Sequence, residues 1–128
     1  MTSSLSLSQI GQISIIVHDL ERAVAFYRDT LGMKLLFQVP PKMAFFDCGG
    51  VRLYLALPEE AEFDHPASIL YYKVDDIQGA WAALRDRGAE LRSEPHLLTR
   101  MPDHELWMAF FKDSEGNTLA LMSEVRAS

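Results

Sequence analysis

The chain has 128 residues, 48% apolar and 23% charged, a size and composition that fit one globular domain with a sizeable core, so that a catalytic domain beside a separate regulatory one is not expected. Twelve Lys and Arg against eighteen Asp and Glu give a formal charge of −6, which repels phosphate backbones and anionic lipid and argues against nucleic-acid or membrane partners. Cys48 is the only cysteine, which excludes an intrachain disulfide and any multi-cysteine metal cluster and points to a reducing compartment.

The stretch Met1 to Gln9 is polar and lacks the basic and apolar regions of a secretion signal. The longest apolar run, Leu106 to Phe111, has six residues, where a membrane helix needs about 20. A cytoplasmic protein with a short polar leader is expected. From Gln12 to His18, Ile13, Ile15 and Val17 alternate with other residues in the period of a half-buried strand. Asp19 then offers an N-cap, and Leu20, Ala23, Val24, Tyr27 and Leu31 recur at helical spacing up to Gly32, a good helix terminator. Lys34–Val39, Met43–Cys48 and Val51–Leu57 read as three strands separated by Pro40-Pro41 and Gly49-Gly50.

An acidic segment from Pro58 to Pro66 reads as a linker, after which the order repeats: a strand Ser68–Val74, a cap at Asp76, and a helix burying Ile77, Ala80, Trp81 and Leu84 before Gly88. Strands are expected at Glu90–Ser93, Leu106–Lys112 and Thr118–Met122, the last after a turn in which Gly116 or Asn117 takes positive φ. Glu94–Glu105 reads as a long loop of the kind that often carries function. A shift of 57 residues matches Val17 with Val74, Asp19 with Asp76, Ala23 with Ala80 and Arg28 with Arg85. The fold class is therefore α+β, built from two βαβββ modules, about 10–57 and 68–124, joined by a linker at about 58–67.

Val17-x-Asp-Leu-Glu-Arg-Ala-x-Ala-Phe-Tyr-Arg-Asp-x-Leu-Gly, ending at Gly32, and Phe110-Phe-Lys-Asp-Ser-Glu-Gly-Asn resemble the vicinal oxygen chelate superfamily. That superfamily includes glyoxalase I, methylmalonyl-CoA epimerase, extradiol dioxygenases, fosfomycin-modifying enzymes and bleomycin-resistance proteins. The resemblance covers about Ile10 to Glu124 and implies curled mixed sheets around a central cavity, commonly in a homodimer. It also implies one divalent ion held by His, Gln or Glu from the first and last strand of each module. Carried over position by position, those ligands fall on Gln12, Tyr54, Ile69 and Ala120. Ile69 and Ala120 have no donor atom, and a phenol with a reference pKa of about 10 is a rare ligand for such ions. No metal cofactor is therefore expected, the alternative being one divalent ion on non-standard ligands such as His96 or His104.

Strand alternation places Ser14, Arg52, Tyr71 and Lys73 on the face shared with those positions, making a mixed pocket of the kind that takes small molecules. Tyr54 and Tyr71 either line that pocket or fill the space of a metal and substrate. Lys73 and Arg52 either bind an anionic group, Lys73 alternatively acting as a base, or reach out to water. Of Trp107 and Met108, one faces the pocket and the other the helices; Trp107 joins the candidate ligand-binding residues. His18 is expected at the surface, and Cys48, with no cation beside it, is expected to be inert. The reading is a small-molecule binding protein, with the acidic charge favouring a cationic ligand; the alternative is a lyase, isomerase or dioxygenase working with unusual metal ligands or without metal.

Overall fold

The computed structural model describes residues 5–126, so Met1 to Ser4 of the polar leader lie outside the described residues. The first module runs β1 (Gln12–Ile16), α1 (Leu20–Ala25), β2 (Lys34–Val39), β3 (Met43–Cys48) and β4 (Val51–Ala56). The second runs β5 (Leu70–Lys73), α2 (Ile77–Asp86), β6 (Glu90–Leu91), β7 (His96–Arg100), β8 (His104–Lys112) and β9 (Thr118–Arg126). Each module makes its own mixed sheet, in the order β1-β4-β3-β2 and β5-β9-β8-β6, with β7 also on β8. The β1–β4 and β5–β9 pairs are parallel and the others antiparallel. This is an α+β architecture of two open mixed sheets.

Both caps form as the residue types require. The Asp19 carboxylate accepts from the Arg22 amide and the Asp76 carboxylate from the Gly79 amide, each satisfying an amide that the first helical turn leaves without a partner. The first helix departs from expectation at its end. After Ala25 it widens into a π-helical turn, Phe26–Thr30, in which Leu31 N donates to Phe26 O at 3.0 Å. Gly32, at φ +73°, then reverses the chain so that Met33 N reaches Tyr27 O.

The loop expected over Glu94–Glu105 is instead largely strand. β6 pairs with Phe111 and Lys112, and β7 pairs with the other end of the same β8 strand, from Met108 back to Glu105. The two are one strand interrupted where Arg92 N and Ser93 N both donate to Phe110 O. Pro95, two residues on, has no amide to offer a ladder. Once this bulge is allowed for, the two modules have the same strand order.

Alternation then sets the faces. Ile15, Val17, Phe46, Leu53 and Leu55 of the first sheet and Phe111, Leu119 and Leu121 of the second are buried beneath the helices in one shared cluster. Full burial of an aliphatic or aromatic side chain of this kind is worth about 1.5–3 kcal/mol. The modules are also tied by a polar contact. Tyr27 of the first donates its hydroxyl to Asp113 Oδ2 of the second at 2.7 Å, and Asp113, itself buried, accepts further from Glu115 N, Asn117 N and Asn117 Nδ2. Burial and the neighbouring Asp113 carboxylate push the Tyr27 hydroxyl far above its ordinary pKa, so it remains a donor. Trp107 belongs to this helix side, which corrects its placement in the pocket. It pairs with Ser123 and Leu97 and packs against the core, while Met108, one residue on, takes the other face.

Candidate functional site

The face of the first sheet turned away from the helices is ordered in rows by strand register. Asp47, Arg52 and Gln12 are neighbours across three strands, as are Phe45, Tyr54 and Ser14 one step along. Phe37 extends the second row, facing Phe45. The rings stack: Phe37 on Phe45 at 4.5 Å between centroids, and Phe45 on Tyr54 at 4.7 Å and 11°. Arg52 lies 5.6 Å from the Phe45 centroid and donates from Nε to Gln12 Oε1 at 3.1 Å. Gln12 and Tyr54 thus share this face, but the Gln12 oxygen is engaged by a guanidinium.

A cavity of about 320 Å3 opens beside the row. Ser14, Ile16, Tyr54 and Ala56 contribute the sheet side, and Glu59, Phe63 and His65 come from the linker. A more polar depression of about 400 Å3 continues towards the second module, bordered by His18, Ile69, Glu115 and Thr118. Ile16 and His65 border both.

His18 stands at this rim. Its Nε2 meets Asp64 Oδ1 of the linker at 2.8 Å and its Nδ1 meets Glu115 Oε1 of the second module at 3.1 Å. Glu115 also accepts from the backbone amides of His18 and Asp19. The hydrogen bond to Asp64, followed by the one to Glu115, raises the imidazole pKa, since both carboxylates favour the charged ring. His18 is at the surface, as expected, but it is also where linker, first module and second module meet.

The equivalent face of the second sheet is arranged differently. Tyr71, Ala120 and Phe110 are neighbours in register. Ala120 is fully buried, and the Tyr71 and Phe110 rings meet edge to face at 6.1 Å across it. Lys73 forms an exposed ion pair with Glu124 at 3.0 Å, which holds the Glu124 carboxyl below the usual carboxylate range. His104 lies between Asp103, at 2.7 Å, and Glu124, at 3.6 Å. His96 tilts against Phe110 and its Nδ1 is 2.9 Å from Glu94 O. The two histidines are thus held apart by separate contacts.

The residues at the four carried-over positions do not fit a divalent ion. Ile69 and Ala120 offer only carbon, and the aromatic edges of Tyr71 and Phe110 meet across Ala120. Among the described residues, no group of three or more His, Cys, Asp or Glu side chains is placed to hold a metal. Nor is any helix among them long and apolar enough to cross a membrane.

A family model described as the Glyoxalase/Bleomycin resistance protein/Dioxygenase superfamily matches residues 9–121. The chain belongs to that superfamily. Among relatives, it is 32% identical over 126 residues to a glyoxylase-like domain-containing protein of Didymella fabae, covering 88% of this chain and 91% of the other. Among solved structures, it superposes on a lactoylglutathione lyase from Agrobacterium tumefaciens with a TM-score of 0.74 at 21% identity, over 92% of this chain and 95% of that one. It superposes on TnmS3, an antibiotic binding protein from Streptomyces sp. CB03234, with a TM-score of 0.71 at 25% identity, over 94% and 99% of the two chains. The superfamily scaffold thus accounts for the paired modules, and the chemistry has to be read from the site itself.

Sequence reasoning missed Phe37, Phe45, Phe63 and His65. Phe45 was within reach: a two-residue Gly49-Gly50 hairpin pairs Cys48 with Val51 and therefore Phe45 with Tyr54. Phe37 was not, because a bulge between Leu35 and Phe37 shifts the β2 register and turns it onto this face. The linker residues carry no periodicity that would aim them.

Proposed function

We propose that the protein binds a planar, aromatic, preferably cationic small molecule in the first-module pocket, without a metal cofactor. The observation that carries this reading is the stacked row Phe37–Phe45–Tyr54 alongside a cavity of about 320 Å3. Tyr54 is the ring of that row that borders the cavity, its orientation fixed by stacking on Phe45, and Ser14, Glu59 and His65 supply a few polar groups around it, the usual make-up of a small-molecule site. The carboxylate of Glu59 and the overall charge of −6 favour a cation over an anion. The antibiotic binding protein TnmS3, of the same fold, supports sequestration as the role.

A homodimer is part of the proposal. Phe37, Val39, Ile69 and Tyr71 are each 44–51% exposed on the faces turned from the helices, a large apolar area for one copy to leave in water. The lone, unpaired Cys48 supports a cytoplasmic location.

Fluorescence titration with proflavine, a planar cation, and 9-anthracenecarboxylate, a planar anion of similar size, tests the ligand class. Saturable binding of proflavine, at least tenfold weaker in Tyr54→Ala, is expected. Preference for the anion, or a Tyr54→Ala variant that binds proflavine as wild type does, overturns the reading. A stoichiometric metal ion in the purified protein, lost on substitution of Gln12 or His104, overturns the metal-free part.

A further inference from the structure

The linker that lines the first-module pocket is held at its middle by one bond. Glu59 to Pro66 are all exposed. The backbone hydrogen bonds of this stretch are internal: Phe63 N donates to Glu60 O, Asp64 N to Ala61 O and His65 N to Phe63 O, around a short helical turn at Ala61–Phe63. Packing secures the ends, where Leu57 and Ala67 lie against the core. Between them, the contact of Asp64 Oδ1 with His18 Nε2 at 2.8 Å is the only hydrogen bond among the described residues that joins Pro58 to Pro66 to either module. A segment with so little burial and so few outside bonds opens at low free-energy cost.

That bond depends on a proton. Both ring nitrogens of His18 face carboxylate oxygens, the second being Glu115 Oε1 at 3.1 Å. An ionised carboxylate only accepts, so both contacts are hydrogen bonds only when both nitrogens carry protons; the neutral ring has one N–H and turns a lone pair to the other oxygen. Glu115 is the fixed partner. It is 11% exposed, and its two oxygens accept from the His18 and Asp19 amides at 2.9 and 3.1 Å. Asp64, exposed and with no such backbone donors, is the side that gives way. The other titratable groups around the ring have their own partners: Asp19 accepts from the Arg22 amide, His65 Nδ1 lies 3.0 Å from Pro66 O, and Asp113, in the turn with Glu115, serves its four donors. The raised pKa of His18 keeps the imidazolium above its ordinary value of about 6.5, and it is lost as pH rises through the higher folded value.

We infer that His18 is a protonation-dependent latch on the linker: the imidazolium holds Asp64, and with it Glu59, Phe63 and His65, closed against the first-module pocket, and loss of the proton to solvent frees the linker and speeds ligand exchange. Its effect on exchange rests on that pocket being the ligand site, whereas the latch itself needs no ligand. An exposed charge-assisted bond of this kind is weak, so the effect is a few-fold change rather than an all-or-none one.

Two measurements on the intact chain between pH 6 and 9 test it. The first, without ligand, is limited digestion by a glutamate-specific protease, with cuts after Glu59, Glu60 and Glu62 of the exposed linker assigned by mass. Rates are taken relative to His18→Gln at the same pH, which cancels the pH dependence of the protease. Wild type should be cut about three- to fivefold more slowly than His18→Gln at pH 6, the ratio falling towards one at pH 9. Asp64→Ala, which leaves the His18–Glu115 contact in place, should be cut as His18→Gln is at every pH, and the double variant no faster than either. In the second, stopped-flow dissociation of proflavine should show the same ratio with the same pH dependence. A cleavage ratio that does not change with pH, or Asp64→Ala cut as slowly as wild type, overturns the latch. Equal proflavine dissociation rates in wild type and His18→Gln overturn its control of the pocket. Absence of saturable proflavine binding overturns the ligand reading alone, the cleavage ratio still deciding the latch.

Discussion

The two sheets share a strand order and differ on the faces turned away from the helices. In the first, Tyr54 continues a parallel stack with Phe45 and Phe37, and a cavity remains beside it. In the second, the matching position is Ala120, and its small side chain lets Tyr71 and Phe110 meet across it edge to face. One residue per module therefore separates an aromatic ring at the edge of an open pocket from a covered floor. A duplicated scaffold keeps its backbone hydrogen bonding whatever its cavity side chains are, so the two copies are free to diverge in chemistry while keeping the same fold.

The turns that precede the two last strands differ in the same sense, and the largest predicted effect lies there. Asp47 accepts one amide from Gly50 in an exposed turn, whereas buried Asp113 serves four donors, one of them Tyr27 of the other module. Asp113→Ala should cost about 3 kcal/mol or more, because it leaves buried donors unpaired, and Asp47→Ala about 1 kcal/mol or less. Urea unfolding of both variants checks this, and equal costs would break the contrast. Next in size is Ala120→Tyr, which imposes the first module's residue on the second. Forced between Tyr71 and Phe110, it should destabilise by about 1–3 kcal/mol through overpacking. The thermal melting point measures this, and a neutral outcome would show that the second floor is not closed.

Phe45→Leu should have a smaller effect on stability, about 1 kcal/mol, since it removes two ring–ring contacts and keeps most of the burial. Its main consequence should be several-fold weaker proflavine binding, whereas Phe110→Leu, the corresponding cut in the second module, should leave that binding unchanged. Parallel titrations of the two variants sharpen the comparison. The smallest effect concerns His18, where the modules and linker meet. Its pKa is raised in the folded protein by Asp64 and Glu115, so its stabilisation is complete below its unfolded value of about 6.5 and is lost as pH rises through the higher folded value. The melting-temperature advantage of wild type over His18→Gln should therefore shrink as pH increases from about 6 to 9, and an advantage that grows with pH would contradict the assignment.

Much of the fold was legible because it is written in local chemistry. Asp19 and Asp76 are caps whatever surrounds them, and Gly32, Gly88 and Gly116 all take positive φ. Alternation placed Gln12, Ser14, Arg52, Tyr54, Tyr71 and Lys73 on the faces away from the helices, where the pairing registers set them. β7 was read as loop because the bulge at Arg92 and Ser93 breaks the period-two pattern just before it. Trp107 was misplaced because an apolar strand with both faces covered gives no sign of which way an aromatic turns.

The amino-acid sequence by itself determined the duplicated architecture and the absence of donor atoms at Ile69 and Ala120, because caps, turns and side-chain chemistry depend on the residue and its near neighbours. Only the tertiary structure decided that Phe37 and Phe45 join Tyr54 in one row, that His18 lies between two carboxylates 46 and 97 residues away, and that the buried Tyr72 hydroxyl has no hydrogen-bond partner among the described residues. Those features depend on strand register and on how the two modules meet, and both are set by packing between residues far apart in the chain.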